Sequence, residues 1–194
     1  AFGQGMNLTH NGTGDLTVTA INSDGSASVT GTTGITADNN GTGALYITAD
    51  SVTGTASDGI NANTSMSGTD LSVTTYGAVS GASDGINAVT NGSGNLTILA
   101  SNAEARNDAS GTMRSVRTTG LITGGVYGVE ARNDGTGDLT VNAASADVTG
   151  QVTGGLDGIF AFNQNGGALS ITADGVTGTT RDGIFGYNDA SGTS

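Results

Sequence analysis

The sequence predicts a right-handed, three-sided parallel β-helix of about seven coils, each roughly 25 residues long, forming a single domain over residues 1–194. Three observations lead there. A short apolar phrase recurs along the chain, the apolar residues within each copy alternate with polar ones, and the composition is too poor in large side chains to fill a globular core.

The recurring phrase is Gly12-Thr13-Gly14-Asp15-Leu16-Thr17-Val18-Thr19-Ala20, which returns from Gly41 to Ala49 and from Gly135 to Ala143. Looser copies run from Asp70 to Thr74, Gly92 to Ala100 and Gly166 to Ala173, so the leading leucines are Leu16, Leu45, Leu71, Leu96, Leu139 and Leu169. A second phrase, Asp-Gly-Ile-x-Ala, begins at Asp58, Asp84 and Asp157, with relatives beginning at Gly5, Gly34, Gly128 and Gly183. A third, Val-Thr-Gly, begins at Val29, Val52, Val148 and Val176, with variants at Val79 and Ile122. Three short phrases per repeat imply three sides per coil.

Within Leu16-Thr17-Val18-Thr19-Ala20 the apolar residues fall at every second position, so Leu, Val and Ala share one side and the threonines the other. Period two means strand. Runs this short, bounded by Asn-Gly, Asp-Gly and Gly-Thr-Gly, do not suit helices. No coil can bury its inward residues alone, and stacking at a spacing of about 4.8 Å closes the core. The Asn and Asp before Gly fit turns, where they accept positive φ and bond back to the backbone. Asn11, Asn40, Asn91, Asn133, Asn163 and Asn188 lie near equivalent corners and are expected to form an amide ladder.

Composition narrows the possible functions. Gly occupies 35 positions, aromatic residues make up 4% of the chain, and Pro, Cys and Trp are absent, which removes disulfides and thiolate metal sites. With a net charge of −12, five Arg and no Lys, the surface repels phosphate backbones, and nucleic acid is not expected as a partner. No apolar run is long enough for a membrane helix, so direct membrane insertion of this segment is not expected either.

The interval from Leu96 to Leu139 is nearly twice as long as its neighbours. Residues 103–108 resemble 129–134 one repeat later, which puts Met113 at the leucine position and leaves the coil after Leu96 without its Val-Thr-Gly side. Residues 99–125 are therefore the expected irregularity, an inserted loop over 101–118 being the alternative.

Phrases such as Asn-Gly-Thr-Gly-Asp-Leu-Thr-Val-Thr-Ala, Val-Thr-Gly-Thr and Asp-Gly-Ile-Asn-Ala resemble the passenger regions of type V autotransporters of Gram-negative bacteria, over nearly the whole chain. The resemblance implies a secreted or cell-surface β-helix, often an adhesin stalk, held through an outer-membrane domain outside this segment. The expected signal peptide and terminal barrel are not in the sequence, and the chain ends within a repeat, as expected for an excerpt of a longer passenger. The shared phrases are structural, so no catalytic residue carries over.

A search for chemistry yields little. His10 is the sole histidine and falls at a corner equivalent to Thr90, expected to be a solvated turn. Asp58 with Asp84, and Asp157 with Asp182, occupy equivalent positions in successive coils, where exposed Asp-Gly turns account for them without a calcium or shared-proton role. No catalytic residue, metal site or cofactor is expected. The outward pairs of the leucine strand run Thr17/Thr19, Tyr46/Thr48, Ser72/Thr74, Thr97/Leu99, Thr140/Asn142 and Ser170/Thr172, too varied for a flat ice-matching lattice.

The outward side of the Asp-Gly-Ile strand is more informative. One column reads Asn7, Thr36, Asn61, Asn87, Glu104, Glu130, Phe160, Phe185, and its neighbour Thr9, Asp38, Asn63, Val89, Arg106, Arg132, Phe162, Tyr187. The second column thus ends beside the first in a cluster of Phe160, Phe162, Phe185 and Tyr187, the candidate binding patch. The expected function is a non-enzymatic extracellular scaffold or adhesin whose partners are surface glycans, proteins or further copies of itself. A filament subunit built by end-to-end stacking and a polysaccharide-acting β-helix enzyme are the alternatives.

Overall fold

The computed structural model describes residues 3–82, 85–92, 94–99, 103–107, 113–117, 122–124, 126–127, 129–133, 138–143, 151–163 and 167–189. Every regular element among them is a β-strand, and every pairing is parallel, as the stacked-coil reading requires.

The first face is an eight-stranded sheet of Met6–His10, Ile35–Asn39, Ile60–Thr64, Ile86–Thr90, Ala103–Asn107, Val129–Asn133, Ile159–Asn163 and Ile184–Asn188. The second is a seven-stranded sheet of Leu16–Ala20, Leu45–Ala49, Leu71–Thr75, Leu96–Leu99, Met113–Arg117, Asp138–Ala143 and Leu169–Ala173. On the third face, Ser28–Gly31, Ser51–Gly54 and Val79–Gly81 form one sheet, and Ile122–Gly124, Gln151–Gly154 and Gly175–Gly178 another. The molecule is a parallel β-solenoid in which the chain visits the faces in order, except that the second-face strand Leu96–Leu99 is followed by the first-face strand Ala103–Asn107.

The core is the shared interior of the faces. Ile35, Ile60, Ile86 and Ile159 are fully buried with Ala37, Ala62, Ala88 and Ala161 two residues later, and Leu45, Leu71, Leu96 and Leu139 stack opposite them. Leu16, Leu45 and Leu71 lie in one row, Cα over Cα. Each such side chain contributes about 1.5–3 kcal/mol of burial, available only once a neighbouring turn covers it.

Three details depart from the sequence reading. The number of turns differs slightly from seven, because only three residues separate Leu99 from Ala103 and the two third-face sheets are separate, so complete three-sided turns are fewer. Arg114, not Met113, takes the leucine register between Leu96 and Leu139. The Val-Thr-Gly of the sixth turn is Val152-Thr153-Gly154, paired with Ile122–Gly124 and Val176–Gly178. Val148 lies outside the described residues.

The glycines of the Asp-Gly corners have a reason beyond the turn chemistry expected of the preceding Asp. Among the described residues, positive φ occurs at Gly14 and Gly25. Gly59 of Asp-Gly-Ile is instead crowded: a Cβ there would press on the Gly85 carbonyl and the Val79 side chain of the next turn. Stacked corners bring backbones too close for any side chain.

Candidate functional site

Both outward columns of the first face stand in the register read from the sequence. Asn7, Thr36, Asn61, Asn87, Glu104, Glu130, Phe160 and Phe185 follow one another rung by rung, as do Thr9, Asp38, Asn63, Val89, Arg106, Arg132, Phe162 and Tyr187. The placement follows from alternation, since Ile159 and Ala161 are fully buried and turn Phe160 and Phe162 to the outside. At the polar end, Asn63 Nδ2 donates to Asp38 Oδ1 at 2.9 Å and to Asn61 Oδ1 at 2.8 Å. The side chains of Glu104, Arg106 and Arg132 lie outside the described residues.

The aromatic cluster is two stacks. Phe160 and Phe185 lie with ring centroids 5.1 Å apart and planes within 6°, and Phe162 and Tyr187 with centroids 4.7 Å apart and planes within 11°. Tyr127, which the sequence reading left out, extends the first stack, 5.1 Å from Phe160 and tilted by 30°. Its signal was weak because it precedes the Val129 strand in a turn, off the period-two pattern. The Arg181 guanidinium lies 5.8 Å from the Phe185 centroid, within cation–π range.

The near-parallel rings on successive turns tie those turns together, at about 0.5–1.5 kcal/mol per pair beyond simple burial.

The carboxylates have a structural use that the sequence reading missed. Asp15 Oδ1 accepts the Ala44 amide at 2.8 Å, Asp70 Oδ1 the Asn95 amide at 2.8 Å, and Asp138 Oδ1 the Ala168 amide at 2.7 Å. In each case the acid before a leucine holds the backbone of the next turn. Asp50, almost fully buried, accepts the Asn22 and Ala27 amides of the previous turn at 3.1 and 3.2 Å. The available signal was the recurrence of Asp before Leu at 15, 70 and 138, which composition alone had reduced to surface charge.

Asp157 and Asp182 are not a pair of exposed carboxylates. Asp157 is completely buried, its Oδ1 accepting the Asp182 amide at 3.0 Å and its Oδ2 facing the Arg181 guanidinium at 2.9 Å. Asp58 is buried as well, and Asp84 lies outside the described residues. The expected solvated corner at His10 is half-buried: its register partner Asn39 and, further along the row, Thr64 and Thr90 are buried, and among the described residues the buried His10 Nε2 has no hydrogen-bond partner. Inside that corner Thr64 Oγ1 donates to Thr90 Oγ1 at 2.8 Å, and Asn39 Nδ2 to the Gly43 and Ala44 carbonyls at 2.9 and 3.0 Å.

The expected asparagine ladder is two ladders. Asn40 donates to Asn11 at 3.0 Å just past the strand, whereas Asn163 donates to Asn188 at 2.9 Å from the last strand position. Asn91 instead reaches the Thr64 carbonyl, and the Asn133 side chain lies outside the described residues. Among the described residues, no group of three or more His, Cys, Asp or Glu is placed to hold a metal ion.

Fold and faces together define a β-solenoid repeat protein. Comparison with protein-family models, curated proteins and solved structures finds no match for this chain.

Proposed function

We propose that the chain is a non-enzymatic extracellular scaffold, a passenger-like adhesin stalk displayed at or released from a bacterial surface. The observation that carries this reading is the use of the acids. Asp15, Asp50, Asp70, Asp138 and Asp157 each hold a backbone amide of an adjacent turn, so these five of the 17 acidic residues are engaged in holding the stack and not in hydrolytic chemistry. The repeated faces supply long rows of identical spacing, the geometry of an extended contact surface.

The test is display of the chain on bacterial cells through an outer-membrane anchor, with antibody staining to verify exposure. Cells that carry it are expected to adhere to glycan- or protein-coated surfaces, or to clump, more than cells carrying the anchor alone. Background adhesion with verified display, or sugar released from a polysaccharide panel, overturns the reading.

A further inference from the structure

Tyr46 differs from the aromatic residues of the first face. It projects from the second face, in register between Thr17 of the preceding turn and Ser72 of the following one, and is 38% exposed. Side chains as small as Thr and Ser do not cover an aromatic face as a neighbouring ring does. Among the described residues, no other ring packs against Tyr46 and its hydroxyl makes no hydrogen bond within the protein.

Around it the outward positions are Thr17, Thr19, Thr48, Ser72 and Thr74, in two columns set by the sheet register. Spacing is about 4.8 Å between turns and about 6.7 Å along a strand. Among the described residues these hydroxyls also find no hydrogen-bond partner, whereas Thr55, Thr64, Ser65 and Thr179 each do. Thr97 and Leu99 continue the face for one more turn. None of the outward residues on these four strands is charged, although the chain holds 17 acidic residues.

An uncovered ring among unpaired, evenly spaced hydroxyls, without charge, suits a neutral carbohydrate. The C–H face of a pyranose packs on the ring while its hydroxyls bond the flanking threonines and serine. An acidic glycan, or a second copy of this chain, would bring negative charge toward a molecule already at −12. Successive sugars of an extended β-1,4-linked chain advance by nearly one turn spacing, so such a chain would lie along the stacking direction, whereas a β-1,3-linked chain is helical and would engage fewer turns. Resting on the adhesin reading, we propose that the second face around Tyr46 is the docking surface for a neutral β-linked glycan.

The probes are insoluble cellulose and a soluble β-1,3-glucan, with alginate as the acidic counterpart. Retention is expected on at least one neutral probe, unchanged in molar sodium chloride because no charge takes part. Tyr46→Ala is expected to weaken it roughly tenfold, the loss of about one aromatic contact. Tyr46→Phe keeps it, Thr48→Asp removes it, and Thr177→Asp on the third face leaves it intact, all with the same strand-rich circular dichroism. No retention on either neutral probe, or equal retention by Tyr46→Ala, overturns the proposal. So does a dimer in sedimentation that Tyr46→Ala dissociates, which would give this face to a second copy. Displayed cells that still adhere to the neutral glycan with Tyr46→Ala remove the docking surface and leave the scaffold reading standing, whereas wild-type cells that adhere to no surface and do not clump remove the latter.

Discussion

Individual side chains here serve mostly to join one turn to the next. Asp157 is the clearest case, a buried carboxylate whose charge is met by Arg181 and by the Asp182 amide. Arg181→Ala leaves that charge buried with a single donor, and is expected to cost about 1–3 kcal/mol in denaturant unfolding, with part of the loss restored by Arg181→Lys. Asp24 is exposed in the Asn22–Ser26 turn, where the Ser26 hydroxyl and then the Ser26 amide hold its carboxyl below the usual range. A folded pKa below the unfolded one contributes stability above the unfolded value, and that contribution is lost as pH falls through the folded value. Ser26→Ala should therefore raise the Asp24 pKa toward an ordinary aspartate, read by NMR titration. At Gly41 a methyl group would collide with the Gly12 carbonyl of the turn before, so Gly41→Ala should lower the melting temperature. Of these roles only the glycines and the Asp-Gly turns drew notice in the sequence, and crowding between turns was not the reason assigned. Contacts across turns depend on neighbours more than twenty residues away, and no local pattern spells them out.

Strand identity and register were far more legible, because period-two alternation fixes which side chains enter the core. All eight positions in both first-face columns align as read, including Phe160 over Phe185 and Phe162 over Tyr187. The errors arose where the pattern was ambiguous. Val148-Thr149-Gly150 and Val152-Thr153-Gly154 are the same triplet four residues apart, and among the described residues the second pairs with the neighbouring turns. The one-repeat offset between residues 103–108 and 129–134 puts Met113 at the leucine position, yet Arg114 takes that register. The candidate patch was legible as a position but not as a geometry, since ring orientation is set by packing between turns. Leu45→Ala, at a fully buried site, should cost about 2–5 kcal/mol. Phe160→Ala, which breaks contacts with both Tyr127 and Phe185, should cost about 1–3 kcal/mol by the same unfolding measurement.

For the molecule as a whole, a linear stack makes stability a sum of turns and of the interfaces between them. The first two faces run through without a break, whereas among the described residues the third forms two separate sheets, one ending at Val79–Gly81 and the other starting at Ile122–Gly124. Coupling along the stack is therefore thinnest at the Leu96–Leu99 strand. Leu45→Ala is expected to separate the melting curve into two steps, with the turns beyond Leu139 retaining their transition temperature. A single shared shift in calorimetry would show instead that two continuous faces suffice to unite the halves.

The paired rings have one more consequence. Chromophores held nearly parallel with centroids 4.7 and 5.1 Å apart couple their transitions, and without tryptophan only the remaining tyrosines and their weaker uncoupled bands overlap the result. Phe160 with Phe185 and Phe162 with Tyr187 thus form a built-in optical gauge at one end of the molecule. Its dichroic bands would fade when those last windings separate, even while the remainder still gives the far-ultraviolet signature of intact sheet.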